Sequence, residues 1–257
     1  MVLSIAQTHQ RRARAAMEAA RTAPQQSMAG ATAYEHQLNQ LLQDRLRLKS
    51  IQSNEGKAAL KLQLLPEYVP YVTGVLEAGH GAQDEVLTTV MVWRIDAADY
   101  SGALDIAAYV FKHKLIMPDR FERTTGCLVA EEIATAALKA QKAGGTFDRD
   151  ILYRTAELTE EQDMPDQARA KLYLATGRAT LDGITAEIPG QPGQAQAGIA
   201  LLKRAIELHD GCGGKKDLES AERLRKNTLP PAPDGRQRTQ RPYAPRRLGA
   251  DRSGNGS

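Results

Sequence analysis

The sequence predicts an all-α fold. Apolar residues recur at spacings of three, four and seven along most of the chain, and no stretch alternates apolar with polar residues in the manner of a strand. Proline and glycine clusters fall at intervals that cut the chain into helix-sized pieces. The expected architecture is a basic N-terminal arm over 1–30, a long amphipathic helix over 31–66, a domain of stacked tetratricopeptide-like helical hairpins over 67–226, and a disordered Arg- and Pro-rich tail over 227–257.

Each element has its own warrant. From Ala33 to Leu64 there is no proline and one glycine, and Leu38, Leu41, Leu42, Leu48 and Ile51 mark one apolar stripe. The polar face carries Arg45, Arg47, Lys49, Lys57 and Lys61, a face that is either solvated or laid against DNA or a second copy. Leu65-Pro66 and Val69-Pro70 predict a stop, because proline lacks a donor and disfavours helix in the residue before it. A new segment is expected from about Tyr71. In VMVWRIDAADYSGALDIAAYVFKH, Val90 to His113, two apolar stripes flank a turn at Asp96 to Ser101, which predicts a helical hairpin. Small Ala103 and Ala107 would let another helix approach, with Tyr100 and Tyr109 at the sides. Trp93, the one tryptophan, is expected in the interior against Val86, Val90, Ile106 and Val110. A competing reading, an exposed ring stacking on a base, is disfavoured by the apolar spacing around it.

Leu115-Ile116-Met117-Pro118 stops the hairpin. Helices are then expected at Val129 to Ala143, ended by Gly144-Gly145, at Ile151 to Leu158, and at Gln167 to Leu181 after an entry turn at Met164-Pro165-Asp166. Gly183 to Gly198, with Pro189 and Pro192, reads as a loop. QAGIALLKRAIELHD, Gln196 to Asp210, echoes the small-and-large pattern through Ala200, Leu201, Ala205 and Leu208.

Composition bounds the function. The 257 residues are 42% apolar and 25% charged, enough for one sizeable core or two small ones. No apolar run reaches the roughly 18 to 20 residues that span a bilayer. MVLSIAQTHQRRARAAMEAAR places its charges after a very short apolar stretch, the reverse of a signal peptide. No membrane contact is expected. Cys127 and Cys212 have no partner pattern, so a reducing compartment is expected.

A net charge of +3 hides basic ends. Arg11, Arg12, Arg14 and Arg21 face a single Glu18 near the start; Arg236, Arg238, Arg241, Arg246, Arg247 and Arg252 face Asp251 alone near the end. The tail has almost nothing apolar to bury. It reads either as a solvated terminus or as a phosphate-binding arm, the second favoured by the choice of arginine, whose planar guanidinium matches phosphate oxygens. Arg11, Arg12, Arg14, Arg21, Arg236, Arg238, Arg241, Arg246 and Arg247 are the candidate DNA-binding residues.

Catalytic signals are weak. His9, His36, His80, His113 and His209 show no metal spacing, and neither cysteine has a neighbouring histidine to activate it. GCGGKKD, Gly211 to Asp217, lacks the first glycine and the Ser/Thr of a phosphate loop and reads as a helix end and turn. Glu55-Gly56-Lys57 is the one Glu-x-Lys and has no Pro-Asp upstream of it. Asp84, Glu85, Asp96, Asp99 and Asp105 fall where turns and helix ends explain acids without a metal. No metal and no cofactor are expected.

In order along the chain, LLPEYVPYVTGVLEAGHGAQD, EVLTTVMVWRIDAADYSGALDIAAYVFKHKLIMP, AEEIATAALKA and MPDQARAKLYLATGR resemble the small terminase subunit of tailed temperate phages of the peduovirus type. The likeness runs roughly from Tyr34 to Leu224, and residues 183–198 depart from it by being longer and richer in Pro and Gly. It implies viral genome packaging in the cytoplasm of the infected bacterium. The partners implied are double-stranded viral DNA, bound at the packaging (cos) site, a large subunit carrying the motor ATPase, and further copies of the chain in a ring. Members of this type are also described as the endonuclease subunit that makes cohesive ends. Two alternatives stay open: a nuclease that itself cuts the cos site, and a tetratricopeptide-like adaptor with protein partners alone.

Overall fold

The computed structural model describes residues 3–118 and 121–228. The chain is all-α: α1 (Ile5–Arg21), α2 (Thr32–Lys49), α3 (Asn54–Ala78), α4 (Glu85–Asp96), α5 (Tyr100–His113), α6 (Thr125–Lys142), α7 (Arg149–Leu158), α8 (Asp166–Leu181), α9 (Gln194–Leu208) and α10 (Lys215–Thr228). Among the described residues the one extended pairing is an isolated bridge between Ser27 and Gln83. No helix among them is long and apolar enough to cross a membrane.

Two expectations about the first third are corrected. The long helix is divided, because Ser50 closes α2 and Ser53 opens α3, its hydroxyl accepting from the Gly56 amide at 2.8 Å. The helix then runs through Pro66 and Pro70 to Ala78. Each proline costs about 3 kcal/mol in a helix interior. Leu64, Leu65, Tyr68, Tyr71, Val72 and Val75 are buried around them, at roughly 1.5 to 3 kcal/mol for each fully buried large side chain. Packing on several sides therefore outweighs the local penalty. Gly79, at φ 68°, supplies the left-handed cap that ends the helix.

Hydrogen-bonded tyrosines join α3 to its neighbours. Tyr68 donates to Asp44 on α2 at 2.8 Å, and Tyr71 donates to Asp84 at 2.6 Å. Asp84 is also the N-cap of α4, accepting from the Leu87 amide at 2.9 Å. The connector between α1 and α2 is tied to the same place: Met28 donates its amide to Gln83, and Gln83 donates to Gln26. Helix α4 is buried on nearly every side, from Val86 to Met91 and at Trp93 and Ile95. Trp93 is interior as expected. The ring it meets belongs to α3: Tyr68 lies edge-on to the indole at a centroid distance of 5.8 Å.

The hairpin α4–α5 forms with its turn at Ala97 to Asp99, and Ala103 and Ala107 are buried. Helix α6 begins at Thr125, ahead of the expected Val129, because Thr124 caps it. Helices α7 and α8 fall where their spacing placed them. The glycine-rich loop is shorter than expected, since α9 begins at Gln194. Its buried face is Gly198, Ile199, Leu202 and Ala205, while Ala200 is exposed, one step round from the face read in the sequence. Gly198 permits the close approach of α8, for a Cβ there would stand 2.8 Å from Leu181 Cδ2. The tetratricopeptide-like detail is therefore not confirmed. One buried cluster runs from α1 to α8, and Leu174, Leu202 and Ala205 form a small second one.

Asp84 is fully buried, and burial, opposed by its bonds from Tyr71 and the Leu87 amide, pushes its carboxyl up to about 6. Between the unfolded value near 4 and about 6, the folded chain holds a proton there that the unfolded chain has lost. Stability from this group is complete below that window and is lost as pH rises through it. Asp84→Asn should therefore gain on the parent by on the order of 2 to 3 kcal/mol between pH 4 and 6.5. Urea midpoints of both proteins across that range check it; parallel profiles would contradict it.

Candidate nucleic-acid interface

The basic N-terminal segment is a helix docked on the body. Ser4 caps α1, accepting from the Gln7 amide at 3.2 Å while Gln7 returns a bond to the Ser4 amide at 2.9 Å. Ala15 and Ala19 form its buried face, packed along α3. That approach depends on Gly74, where a Cβ would collide with the Arg12 carbonyl and lie 2.9 Å from Ala15 Cβ. Arg12 then clamps the pair, its Nε donating to Glu77 at 2.7 Å.

A helix turns about 100° per residue, so the candidate arginines part company. Arg12 faces α3 and is committed to Glu77. Arg11 and Arg14, three apart, face α2 and line a cavity of about 250 Å3 with Gln7, Gln10, His36 and Gln37. Arg21 is exposed in the last turn. Arg236, Arg238, Arg241, Arg246 and Arg247 lie outside the described residues.

A second basic surface forms where α2 bends into α3. Two adjoining cavities, about 570 and 330 Å3, share Lys57, Lys61 and Asp96. Their walls include Arg45, Lys49 and, from α6, Lys139, against the acids Glu55 and Asp96. Arg45 is oriented by Glu85 at 2.7 Å and by the Thr89 hydroxyl at 3.0 Å, and Lys61 pairs with Asp96. Lys49, Lys57 and Lys139 make no ion pair among the described residues. A concave wall with an excess of one sign concentrates the field over it, so this cleft attracts anions. Trp93 and Phe121 contribute to its wall, which joins the basic face of α2 to the core.

The acids flagged in the sequence are occupied structurally. Asp84 and Asp99 cap α4 and α5, Arg94 bonds Asp99 at 2.7 Å, and Arg154 bonds Asp105 at 2.7 Å. Glu55 and Asp96 line the same cavity as Lys57. Among the described residues no three or more His, Cys, Asp or Glu gather as a metal site. Cys127 is buried, and burial followed by Glu131 pushes its thiol up, away from reactivity. The segment Gly211 to Asp217 is a short 3-10 turn at Asp210–Cys212 followed by the start of α10, as its turn reading expected.

Two features escaped the sequence reading. The buried stripe of α2 is Tyr34, Gln37, Leu41, Asp44 and Leu48, so two polar residues occupy core positions. Their spacing of three and four was legible, and polar letters at such places are the available signal. Lys139 joins the cleft only through the packing of α6, for which no local signal exists.

The profile of the family described as "Phage small terminase subunit" matches residues 38–167. The chain is 44% identical over 238 residues to the "Terminase, endonuclease subunit" of Escherichia phage P2, covering 93% of this chain and 92% of that one. It is 24% identical over 168 residues to the "Probable terminase, endonuclease subunit" of Haemophilus phage HP1, covering 61% of this chain and 57% of that one. No solved structure matches it significantly.

Gly74→Ala should pry α1 from α3, at about 1 to 3 kcal/mol for an overpacked contact. Amide exchange in α1 would accelerate ahead of that in α4. Equal protection of both helices in the variant and the parent would show that the contact yields without loss.

Proposed function

The chain belongs to the phage small terminase subunit family and is a small subunit of a DNA-packaging terminase; we propose that it binds double-stranded viral DNA at the packaging (cos) site and presents it to a large ATPase subunit for cleavage and translocation. The observation that carries this reading is the likeness to the phage P2 subunit along nearly the whole of both chains. Two separate basic surfaces, at α1 and at the α2–α3 bend, are of the kind that holds a phosphate backbone. The arginines of α1 and of the tail extend the contact, and the work takes place in the cytoplasm of the infected host.

The chain acts as a ring of identical copies. Leu42 and Leu46 on α2 and Leu62 and Val69 on α3 stay 46%, 63%, 60% and 41% exposed, apolar surface that a further copy would cover. Titrating duplex cos DNA at several salt concentrations tests binding, and light scattering on the same samples tests assembly. Removing residues 236–257 should weaken binding and flatten the salt dependence by close to 0.9 in log–log slope for each lost phosphate contact. A chain that ignores duplex DNA and scatters as a monomer at all concentrations would leave the protein adaptor standing.

A second reading is carried by the names of the two relatives, described as a terminase endonuclease subunit and a probable one. Glu55 and Asp96 would be its acids, since they share a cavity with Lys57, although Lys61 already neutralises Asp96. The first reading expects no nicking of cos DNA by the purified chain with magnesium. Nicking that Glu55→Gln abolishes would transfer cleavage to this subunit.

A further inference from the structure

We propose that the cavity between α1 and α2 is a phosphate site that seats one backbone phosphate of duplex DNA. The source of the phosphate rests on the DNA-binding reading above; the chemistry of the pocket does not.

Two residues that line this space each carry a buried polar atom left without a partner. Arg11 Nη1 and Gln37 Oε1 are both buried, neither has a hydrogen-bond partner, and Gln37 is only 3% exposed. Buried polar atoms are almost always partnered by protein or water, so a pair of orphans at one cavity marks a place that something else completes. Elsewhere on α1 the chain does supply partners: Arg12 has Glu77, and Glu18 accepts from the Ala33 amide at 2.8 Å. No carboxylate lines the cavity, and among the described residues neither Arg11 nor Arg14 has an ion pair. An unneutralised guanidinium pair facing a polar hollow is a receptor for an anion.

Shape and chemistry select phosphate. About 250 Å3 accommodates a tetrahedral oxyanion with a few waters, each taking about 30 Å3 of liquid volume. Half-buried Arg11 and exposed Arg14 and His36 line it. A planar guanidinium offers paired N–H donors to phosphate oxygens. The Gln37 amide nitrogen is a further donor for the same group. The open rim, facing outward between two helices of a DNA-packaging subunit, admits a phosphate that remains part of a strand.

The experiment uses the full-length chain with its glutamines labelled, following the Gln37 side-chain amide by NMR as inorganic phosphate is added. In parallel, Arg14→Gln is titrated with duplex DNA across a salt series; Arg14 is exposed, so the fold is not threatened. The expected result is a saturable shift of the Gln37 amide, with duplex affinity roughly fivefold to tenfold weaker in the variant and a salt slope reduced by about 0.9. No phosphate-dependent shift at Gln37 overturns the site. A shift with phosphate but an unchanged slope in Arg14→Gln overturns its assignment to the DNA backbone and makes it a site for the free ion. If the unmodified chain fails to bind duplex while Gln37 still responds to phosphate, the DNA reading falls and the oxyanion pocket stands.

Discussion

The hydrogen bond from Tyr71 to Asp84 is the constraint on which the rest of the arrangement depends. It joins the middle of α3 to the first residue of the α4 turn, and its phenol also lies 3.9 Å from Met28 Sδ in the connector between α1 and α2. A fully buried carboxyl is costly, and the Tyr71 hydroxyl and the Leu87 amide both offset that cost while dictating where each group sits. Because Asp84 caps α4, the same contact sets the axis of the most deeply buried helix. Burial also pushes the Tyr71 hydroxyl well above its ordinary range, which favours its protonated, donating form.

From that point the N-terminal third is placed by short-range consequences. Helix α3 keeps its direction through two prolines because its tyrosines and leucines are gripped from several sides. Its far face presents Gly74 and Glu77 to α1. The α1 helix can then lie close, commit Arg12 to an ion pair and turn Arg11 and Arg14 toward α2. A charge cluster that looks uniform as letters thus divides into one arginine that holds the structure together and two that face a cavity. Tyr68 and Asp44 repeat the device on α2, where Arg47 also bonds Asp44 at 2.9 Å. The basic residues of α2 and α3 are in this way displayed on a rigid bend.

Under the proposed function the subunit grips DNA through its basic surfaces. Those surfaces are of two kinds. The cleft at the α2–α3 bend and the α1–α2 cavity are built into packed helices. The arginine-rich tail reads in the sequence as an arm with little to bury. Exposed leucines on α2 and α3 lie on the same helices as the basic residues, so under the proposed function assembly between copies and contact with DNA would share one hairpin.

The amino-acid letters alone determined the helical class, the α4–α5 hairpin, the positions of α7 and α8 and the interior place of Trp93, because these follow from local periodicity, caps and turns. They also carried the family likeness and the basic character of both ends. They misjudged Pro66 and Pro70, where a local penalty lost to burial by helices distant in sequence, and Ser53, a cap hidden within an otherwise continuous pattern. The exposed face of α9 was misread by one step, since Ala200 and Gly198 look equally small until Leu181 arrives from α8. Only the tertiary structure decided which arginine of α1 is paired, that Gln37 is buried without a partner, and that Lys139 joins Lys57 and Lys61. Those outcomes depend on which helices meet and at what rotation, and no single segment contains the packing energy that chooses between them.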